Sequence, residues 1–571
     1  MYFTDKLVIA KFLKEYLTEL TLDEIESILE IPPAEINYTY AFPCFKLAKL
    51  RKMAPQKIAE ELAKNMIIPP FLDEIKAIGP YLNLRISTRV LLENIFKQKE
   101  NFGRIRNLEQ GNKKKSLRIV IEYPSPNTNK PLHLGHIRNM LLGSSLSNLL
   151  KYKGHQVFQV NLNNDRGIHI CKSMLAYLKW GNGKEPNKKP DHFVGDFYVK
   201  YNQMQKKNPS LEQEARELLK KWEQGDPEVI SLWRKLNDWA LKGFKETYKK
   251  LGVSFDKEYF ESEIYKKGKE IVLEGLNKGI FEKTGDGAII ARLKERYGLE
   301  DKILIRSDGT SIYITQDIYL AYLKKKDFNY DKSIYVVGDE QIDHFKRLFA
   351  ILDMMGFHEN NYHLAYGMIR LPEGKMKSRE GTVVDADDII AEMENLALKE
   401  VDERYPEIDE NEKSRRARII GLAALKFFIL KFSPIKGFVF NPKESISFEG
   451  ETGPYTQYCY ARIESIIQKS GRKIDLDVDW NLLKHEKEIQ LIKQLNYFPE
   501  ILDDIENSYN IHLIPQYLLN LCQAFNSFYS SCKVISKDKK LEDARLLLIK
   551  CVQIIIKTGL EILGIETLEQ M

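Results

Sequence analysis

Residues Glu122 to Met140 read E-Y-P-S-P-N-T-N-K-P-L-H-L-G-H-I-R-N-M, and the reading of this stretch decides the fold. The run from Arg118 to Tyr123 that leads into it is short, apolar and rich in β-branched residues, as a buried strand is, and the Pro and Asn cluster behind it ends that strand. Apolar residues at helical spacing follow, so a turn delivers His133, Gly135 and His136 to the start of a helix.

A helix start offers unpaired N–H groups and a positive dipole, and the missing side chain at Gly135 lets a base or ribose approach the backbone. The arrangement suits a nucleoside triphosphate, with two imidazoles placed to stabilise charge on the α-phosphate. A bare His-x-Gly-His also occurs in ordinary turns. Here it follows a strand, opens a helix and sits behind S-P-N-x-x-K-P, a context that favours a site.

A second cationic element lies at Gly374-Lys375-Met376-Lys377-Ser378-Arg379-Glu380-Gly381, after the β-type run Ala365 to Leu371 and before Thr382 to Val384. Alone it reads as a basic hairpin. Paired with the histidines it suits clamping of the β- and γ-phosphates, because release of pyrophosphate needs neutralisation of a developing anion.

The 571 residues suggest about three to four domains. Hydrophobic residues at 43% and charged residues at 29% are globular values, and no apolar run approaches the length of a membrane span. Met1 to Leu20 carries Asp5, Glu15 and Glu19 among its lysines, which is neither a signal nor a transit peptide, so a cytoplasmic location is expected. The formal charge of +6 is compatible with a nucleic-acid partner without establishing one. Six cysteines without a C-x-x-C pair argue against a disulfide framework and against a zinc site; no protein-held metal is expected.

The fold expected is multidomain α/β. Residues 1–112 alternate helical patterns (Lys6 to Leu20, Pro55 to Asn65, Thr88 to Lys97) with extended runs (Tyr38 to Leu47, Tyr81 to Ile86), a small α+β domain ending in the polar linker Gln110 to Lys115. Residues 113–410 carry buried-type strands at Arg118 to Glu122, Gln156 to Asn161, Ser333 to Val337 and His363 to Leu371, the pattern of a Rossmann-like parallel sheet with crossover helices. A helical insertion interrupts it around residues 191–248. Residues 411–571 read as an all-helical bundle, with apolar spacings of three and four in Arg418 to Lys431, Gln457 to Gln468, Tyr517 to Tyr529 and Glu542 to Leu563.

The H-x-G-H turn resembles the first signature of class I aminoacyl-tRNA synthetases, and S-P-N-T-N-K-P-L-H-L-G-H is most similar to the arginyl-tRNA synthetase form. The Lys375 loop resembles the second signature, K-M-S-K-S, except that Ser378 stands at its second lysine. Arginyl enzymes commonly lack that lysine, and one just before the first signature is thought to substitute; Lys130 fits that position. The resemblance extends to N-N-D-R-G-I-H at Asn163 to His169, the helix Trp233 to Phe244, and F-E-G-E-T-G-P-Y-x-Q-Y at Phe448 to Tyr458.

A guanidinium needs planar, acidic partners, since desolvating a permanent cation without carboxylates is prohibitive. Tyr313 and Asp317 lie four residues apart, Glu122 and Asn127 flank the turn before His133, and Gln341 follows a strand. Taken singly, Asp317 also suits an N-cap, Tyr313 a core aromatic and Gln341 the surface. The resemblance implies that Tyr313 and Asp317 contact the guanidinium side, that Asn127 and Gln341 hold the α-amino or carboxylate end, and that Glu122 completes the arginine pocket.

The same resemblance implies catalytic roles for His133, His136, Lys130, Lys375 and Lys377, ATP contacts from His133, Gly135, His136, Lys375 and Met376, and tRNA contacts from Tyr455, Gln457 and Arg462. It implies ATP as substrate with Mg2+ accompanying it, L-arginine and tRNA(Arg) as partners, a tRNA-elbow module at the N-terminus, an anticodon-binding bundle at the C-terminus, and a monomer. A small-metabolite nucleotidylyltransferase shares the H-x-G-H turn, but the length, the lysine loop and the helical end speak against it. A noncatalytic RNA-binding paralogue is opposed by the intact His133, His136 and Lys130.

Overall fold

The computed structural model describes residues 6–33, 36–104, 116–372 and 384–571. The linker expected at 110–115 and the lysine loop with Lys375, Met376 and Lys377 lie outside the described residues.

Five parallel strands form the central sheet: β1 (Arg118–Glu122), β2 (Gln156–Asn163), β3 (Lys257–Phe260), β4 (Lys332–Gly338) and β5 (Asn360–Tyr366), in the order β5-β4-β1-β2-β3. The apolar character of β1 is explained by burial on both faces. Ile119 and Ile121 join one hydrophobic core, and Val120 between them joins another. The chain winds outward from β1 to β3 and then crosses to β4 on the other side of β1. That reversal opens a crevice at the carboxyl ends of β1 and β4, the place where open parallel sheets bind ligands.

Helices connect the strands. After β1 comes α1 (Leu134–Tyr152), and after β2 come α2 (Ile168–Trp180), α3 (Pro190–Gln205), α4 (Ser210–Glu223) and α5 (Pro227–Leu251). Helices α3 to α5 span the residues read as an insertion and pack with α2 around a core of their own that includes Phe193, Tyr201, Leu211, Trp222 and Leu236. Between β3 and β4 lie α6 (Glu261–Asn277), a three-stranded antiparallel sheet (Glu282–Lys283, Ile289–Ala291, Lys302–Ile305) and α7 (Tyr313–Phe328). Next, α8 (Ile342–Met354) joins β4 to β5, and α9 (Ala386–Arg404) and α10 (Glu410–Leu430) follow as a packed pair.

The expected junction at residue 411 needs correction. It falls at the start of α10, which packs along α9, and Phe438–Val439 beyond it pairs in parallel with Ile369–Arg370. Backbone pairing thus ties residues as far as 439 to the catalytic body. The remaining helices, α11 (Gly453–Ser470), α12 (Glu486–Asn496), α13 (Phe498–Ser508), α14 (Leu513–Ser531) and α15 (Lys539–Ile562), form the C-terminal bundle.

At the other end of the chain, five helices surround an antiparallel sheet in which Tyr81–Ile86 lies between Tyr40–Pro43 and Leu72–Ile78. Two readings of this unit change. The extended run expected over Tyr38 to Leu47 is a strand only to Pro43, and Phe45–Arg51 is helical; the helix expected over Lys6 to Leu20 ends at Lys14. The unit docks on the bundle: Asn496 Nδ2 donates to Tyr40 Oη at 2.9 Å, and Tyr497 Oη donates to the Thr39 carbonyl at 3.0 Å.

Candidate active site

His133 is the N-cap of α1. Its Nδ1 accepts the Gly135 N–H at 3.1 Å, while His136 Nδ1 accepts the His133 N–H at 3.1 Å, so the two rings form a reciprocal capping box with centroids 3.8 Å apart. Burial, with the Lys130 charge nearby, pushes His133 down to about 4; burial, His133 and Lys130 hold His136 well below the ordinary histidine range. Both rings are therefore neutral at pH 7. Because each Nδ1 accepts a bond, the single proton of each ring is assigned to Nε2, leaving two neutral N–H donors at the positive end of α1. A Cβ at Gly135 would lie 3.0 Å from His133 Cε1 and 3.1 Å from Nδ1, so a side chain there would press on the capping ring.

A strap of chain, residues 384–388, runs beside this turn. Leu134 N donates to the Val384 carbonyl at 2.9 Å, Ala386 N donates to the Leu132 carbonyl at 3.0 Å, and His133 and Asp385 form an antiparallel bridge. The chain therefore re-enters the described structure, just beyond the lysine loop, directly against the first histidine.

One turn along α1, Arg138 is fully buried. It donates to the carbonyls of Gly367 at 2.6 Å, Pro434 at 2.8 Å, Lys436 at 2.9 Å and Ser433 at 3.2 Å, with the Phe438 ring 4.9 Å from its guanidinium. Burial lowers its pKa to about 10. The cation is solvated by main-chain carbonyls in place of water, which locks α1 to the segment after β5. Next to it a cavity of about 460 Å³ is bounded by Asp339, Gly367, Met368, Arg370, Phe438 and Val439.

The expected arginine-pocket residues gather around β1, α7 and the end of β4, in different states. Glu122, at the end of β1, is buried and paired with Lys324 Nζ at 2.7 Å; that ammonium is fully buried, donates to Ser333 Oγ at 3.2 Å and lies 3.6 Å from the Tyr335 ring centre. Asp317 is the fifth residue of α7, whose N-cap is Ile312, so it is not the cap that its composition also suited. Its Oδ2 is 2.7 Å from His344 Nε2 on α8. Tyr313 opens α7 and is 75% exposed, which excludes a core role. Asn127 is exposed beside Asn164, and Gln341 is half-buried as the N-cap of α8.

The N-N-D-R segment locks the insertion to the sheet. Asp165 is buried and accepts Ser262 N at 2.8 Å and Ser262 Oγ at 2.6 Å, while its carbonyl accepts Trp233 Nε1 at 2.6 Å. Arg166 reaches Glu223 at 2.9 Å and Glu261 at 3.7 Å and stacks on Tyr265. Burial pushes the Glu261 carboxyl up to about 7 despite that arginine.

In the bundle, Tyr455 and Arg462 are half-buried and share Asn526: its Nδ2 donates to Tyr455 Oη at 2.8 Å and Arg462 Nη1 donates to its Oδ1 at 3.1 Å. Arg462 also lies over the rings of Tyr458 and the exposed Tyr529. Gln457 is different, and the expectation of tRNA contact is corrected for it. Its side chain is 0% exposed and donates to the Glu566 carbonyl at 2.6 Å, tying α11 to the C-terminal segment.

Sequence reasoning missed His344, Lys324, Arg138, and the group Lys189, His192 and Asp387. His344 lies three residues beyond Gln341, a spacing that was a usable signal. The others declare themselves only through partners distant in the chain.

Residues 95–442 match the family model described as tRNA synthetases class I (R), catalytic domain; residues 456–571 match the DALR anticodon binding domain, and residues 7–86 the arginyl tRNA synthetase N terminal domain. An arginine–tRNA ligase of Treponema denticola is 45% identical over 95% of this chain and 94% of its own length. One of Parabacteroides distasonis is 42% identical over 99% of this chain and 98% of its own. Among solved structures, the arginyl-tRNA synthetase of Thermus thermophilus superposes with a TM-score of 0.83 at 26% identity, covering 99% of this chain and 100% of that one.

Proposed function

The chain belongs to the arginyl-tRNA synthetases of the class I family, and from that premise we propose that the crevice between β1 and β4 performs ATP-dependent attachment of L-arginine to tRNA(Arg). The observation that carries the reading is the reciprocal pair of neutral histidines at the head of α1. Their two Nε2–H donors face anionic charge without adding a fixed cation of their own. Such donors favour the state in which charge builds on the phosphoryl oxygens.

The arginine carboxylate attacks the α-phosphorus, pyrophosphate departs, and the 2′-hydroxyl of the terminal tRNA adenosine then takes the arginyl group as AMP leaves. Positioning and charge stabilisation supply the catalysis, with no covalent enzyme intermediate. His133, His136 and Lys130 serve the phosphates and Gly135 lines the ATP site; Lys375, Met376 and Lys377, outside the described residues, keep the ATP-binding and catalytic roles that the family resemblance implies for them. The cavity beside Arg138, walled by Met368 and Val439, takes the adenosine. Asp317 and Tyr313 face the guanidinium, Asn127 and Gln341 the other end of the amino acid, and Glu122 closes the pocket.

Mg2+ enters with the ATP substrate. The group of described His, Cys, Asp and Glu residues with metal-ligand spacing, Asp191, His192 and Asp387, does not fit an ion, because Lys189 already bonds both carboxylates. The N-terminal unit and the bundle serve tRNA binding, with Tyr455 and Arg462 on the tRNA side. We place the protein in the cytoplasm as a monomer; no described helix is long and apolar enough to cross a membrane.

The test is aminoacylation of a purified tRNA pool with each amino acid in turn, alongside ATP–pyrophosphate exchange with tRNA present. Arginine alone is expected to charge. Binding of tRNA without exchange would identify a noncatalytic relative, and charging with another amino acid would overturn the pocket assignment.

A further inference from the structure

We propose that Lys189, on the insertion side, is a positioning residue for His133, acting through the 384–388 strap. The inference rests on the catalytic reading of His133 given above.

Asp387, in the first turn of α9, is the meeting point. Its Oδ2 accepts Lys189 Nζ at 2.7 Å, His192 Nε2 at 3.2 Å and Thr247 Oγ1 at 3.2 Å, and its Oδ1 accepts Lys250 Nζ at 3.1 Å. Lys189 also donates to Thr247 Oγ1 at 2.8 Å and to Asp191 Oδ2 at 2.9 Å. Asp191 is fully buried against α5, where a Cβ at Gly243 would come within 2.1 Å of its Oδ1. Lys189 and His192 stand at the start of α3, Thr247 and Lys250 at the end of α5, so both outer helices of the insertion grip one carboxylate.

That carboxylate is two residues from Asp385, whose Oδ1 caps α9 by accepting Asp387 N at 2.8 Å and whose Oδ2 lies 3.5 Å from His192 Nε2. Asp385 is the residue bridged to His133, and its neighbours Val384 and Ala386 hold Leu134 and Leu132. The path from Lys189 to the His133 backbone is continuous: ammonium, Asp387, strap, cap turn. Burial opposes ionisation of Asp387, yet the bonds from His192 and Lys189 hold its carboxyl well below the usual range. The clamp is thus charged throughout the neutral range.

A divalent cation is the alternative occupant, since the ligand atoms of Asp191, His192 and Asp387 lie within 4.8 Å of one another. The Lys189 ammonium already supplies the positive charge at that point. A half-buried carboxylate bonded by Lys189, Thr247 and Lys250 is a mechanical joint between insertion and catalytic turn, since displacement of its partners moves the strap as a unit.

ATP–pyrophosphate exchange with arginine and tRNA(Arg) present, measured on the full chain, tests the idea. Lys189→Met is expected to lower kcat roughly ten- to hundredfold, as a displaced catalytic group does, with the KM for arginine within about twofold of wild type, and Lys189→Arg is expected to recover much of the loss. Lys250→Met, on the exposed side of Asp387, keeps the test open if Lys189→Met does not fold; it should lower kcat in the same direction by less. The decisive comparison is with His133→Ala: adding Lys189→Met to it should slow exchange no further, because the lysine acts through that histidine. Full additivity, an unchanged kcat in Lys189→Met, or parallel losses in every kinetic constant and in Tm would overturn the inference. Unchanged exchange in His133→Ala alone would instead overturn the catalytic reading beneath it.

Discussion

His344 Nε2 lies 2.7 Å from Asp317 Oδ2, across the gap between α7 and α8. The carboxylate proposed to meet the substrate guanidinium therefore has one oxygen bonded to an imidazole on the neighbouring helix. Asp317→Asn keeps the size and removes the charge. Arginine affinity should fall by about 2–5 kcal/mol, as when one partner of a partly desolvated ion pair is truncated, while ATP binding is nearly unchanged. Preference for arginine over citrulline should shrink in parallel. His344→Gln, which retains an N–H donor, should raise the KM for arginine less than His344→Ala does; equal effects would remove the orienting role of the imidazole.

Gly135→Ala places a methyl 3.0 Å from His133 Cε1, tighter than an ordinary contact, so the capping ring must give by a few tenths of an ångström. Helix capping should weaken by about 1 kcal/mol. The exchange rate should fall much further, roughly a hundredfold, because the donor geometry is lost. Single-turnover activation at saturating arginine and ATP measures this, and a loss confined to Tm would return Gly135 to a structural role.

Lys324→Met leaves Glu122 buried without its counter-ion. Removing one partner of a buried pair costs about 3–5 kcal/mol, so the urea midpoint should drop clearly. Adding Glu122→Gln should restore most of it, since no uncompensated charge then remains. A double variant as unstable as the single one would mean that Lys324 acts through packing on Tyr335 instead.

Stability should respond to pH through two histidines of opposite sign. His133 titrates at about 4 in the folded chain, lowered by burial and Lys130, and near the ordinary value of about 6.5 when unfolded. Between those values the unfolded state binds the extra proton, so stability declines as pH falls through that window and is unaffected above it. For His192, burial is outweighed by the bond it donates to Asp387 and the charges of Asp385 and Asp191, with Lys189 opposing, and its pKa is raised. Its contribution is complete below about 6.5 and is lost as pH rises through the elevated folded value. Urea midpoints from pH 4 to 9 should show a flatter acid side in His133→Asn and a flatter neutral side in His192→Asn.

Where local pattern sufficed, the reading from sequence was close. Arg118–Glu122, Pro55–Asn65 and Tyr81–Ile86 have the expected bounds, because apolar alternation, a Pro at the first helical position and burial on both sheet faces act over a few residues. The turn His133-Leu-Gly-His136 was legible as the start of a helix for the same reason. It failed where distant chain intervenes. The strand expected over His363 to Leu371 breaks at Gly367, whose carbonyl is taken by Arg138 and whose Cα faces the Ile435 carbonyl so closely that a Cβ would sit 2.6 Å away.

By itself, then, the sequence determined elements such as Arg118–Glu122, Tyr81–Ile86 and Pro55–Asn65, the histidine turn and the resemblance that its motifs carry. Only the tertiary structure decided that Glu122 belongs to Lys324, Asp317 to His344, Gln457 to the Glu566 carbonyl, and Asp387 to Lys189. The physical reason is range. Periodicity and turn chemistry express forces between near neighbours in the chain, whereas each of these polar groups finds its partner far along it, once the packing of apolar faces has excluded water and made that partner obligatory.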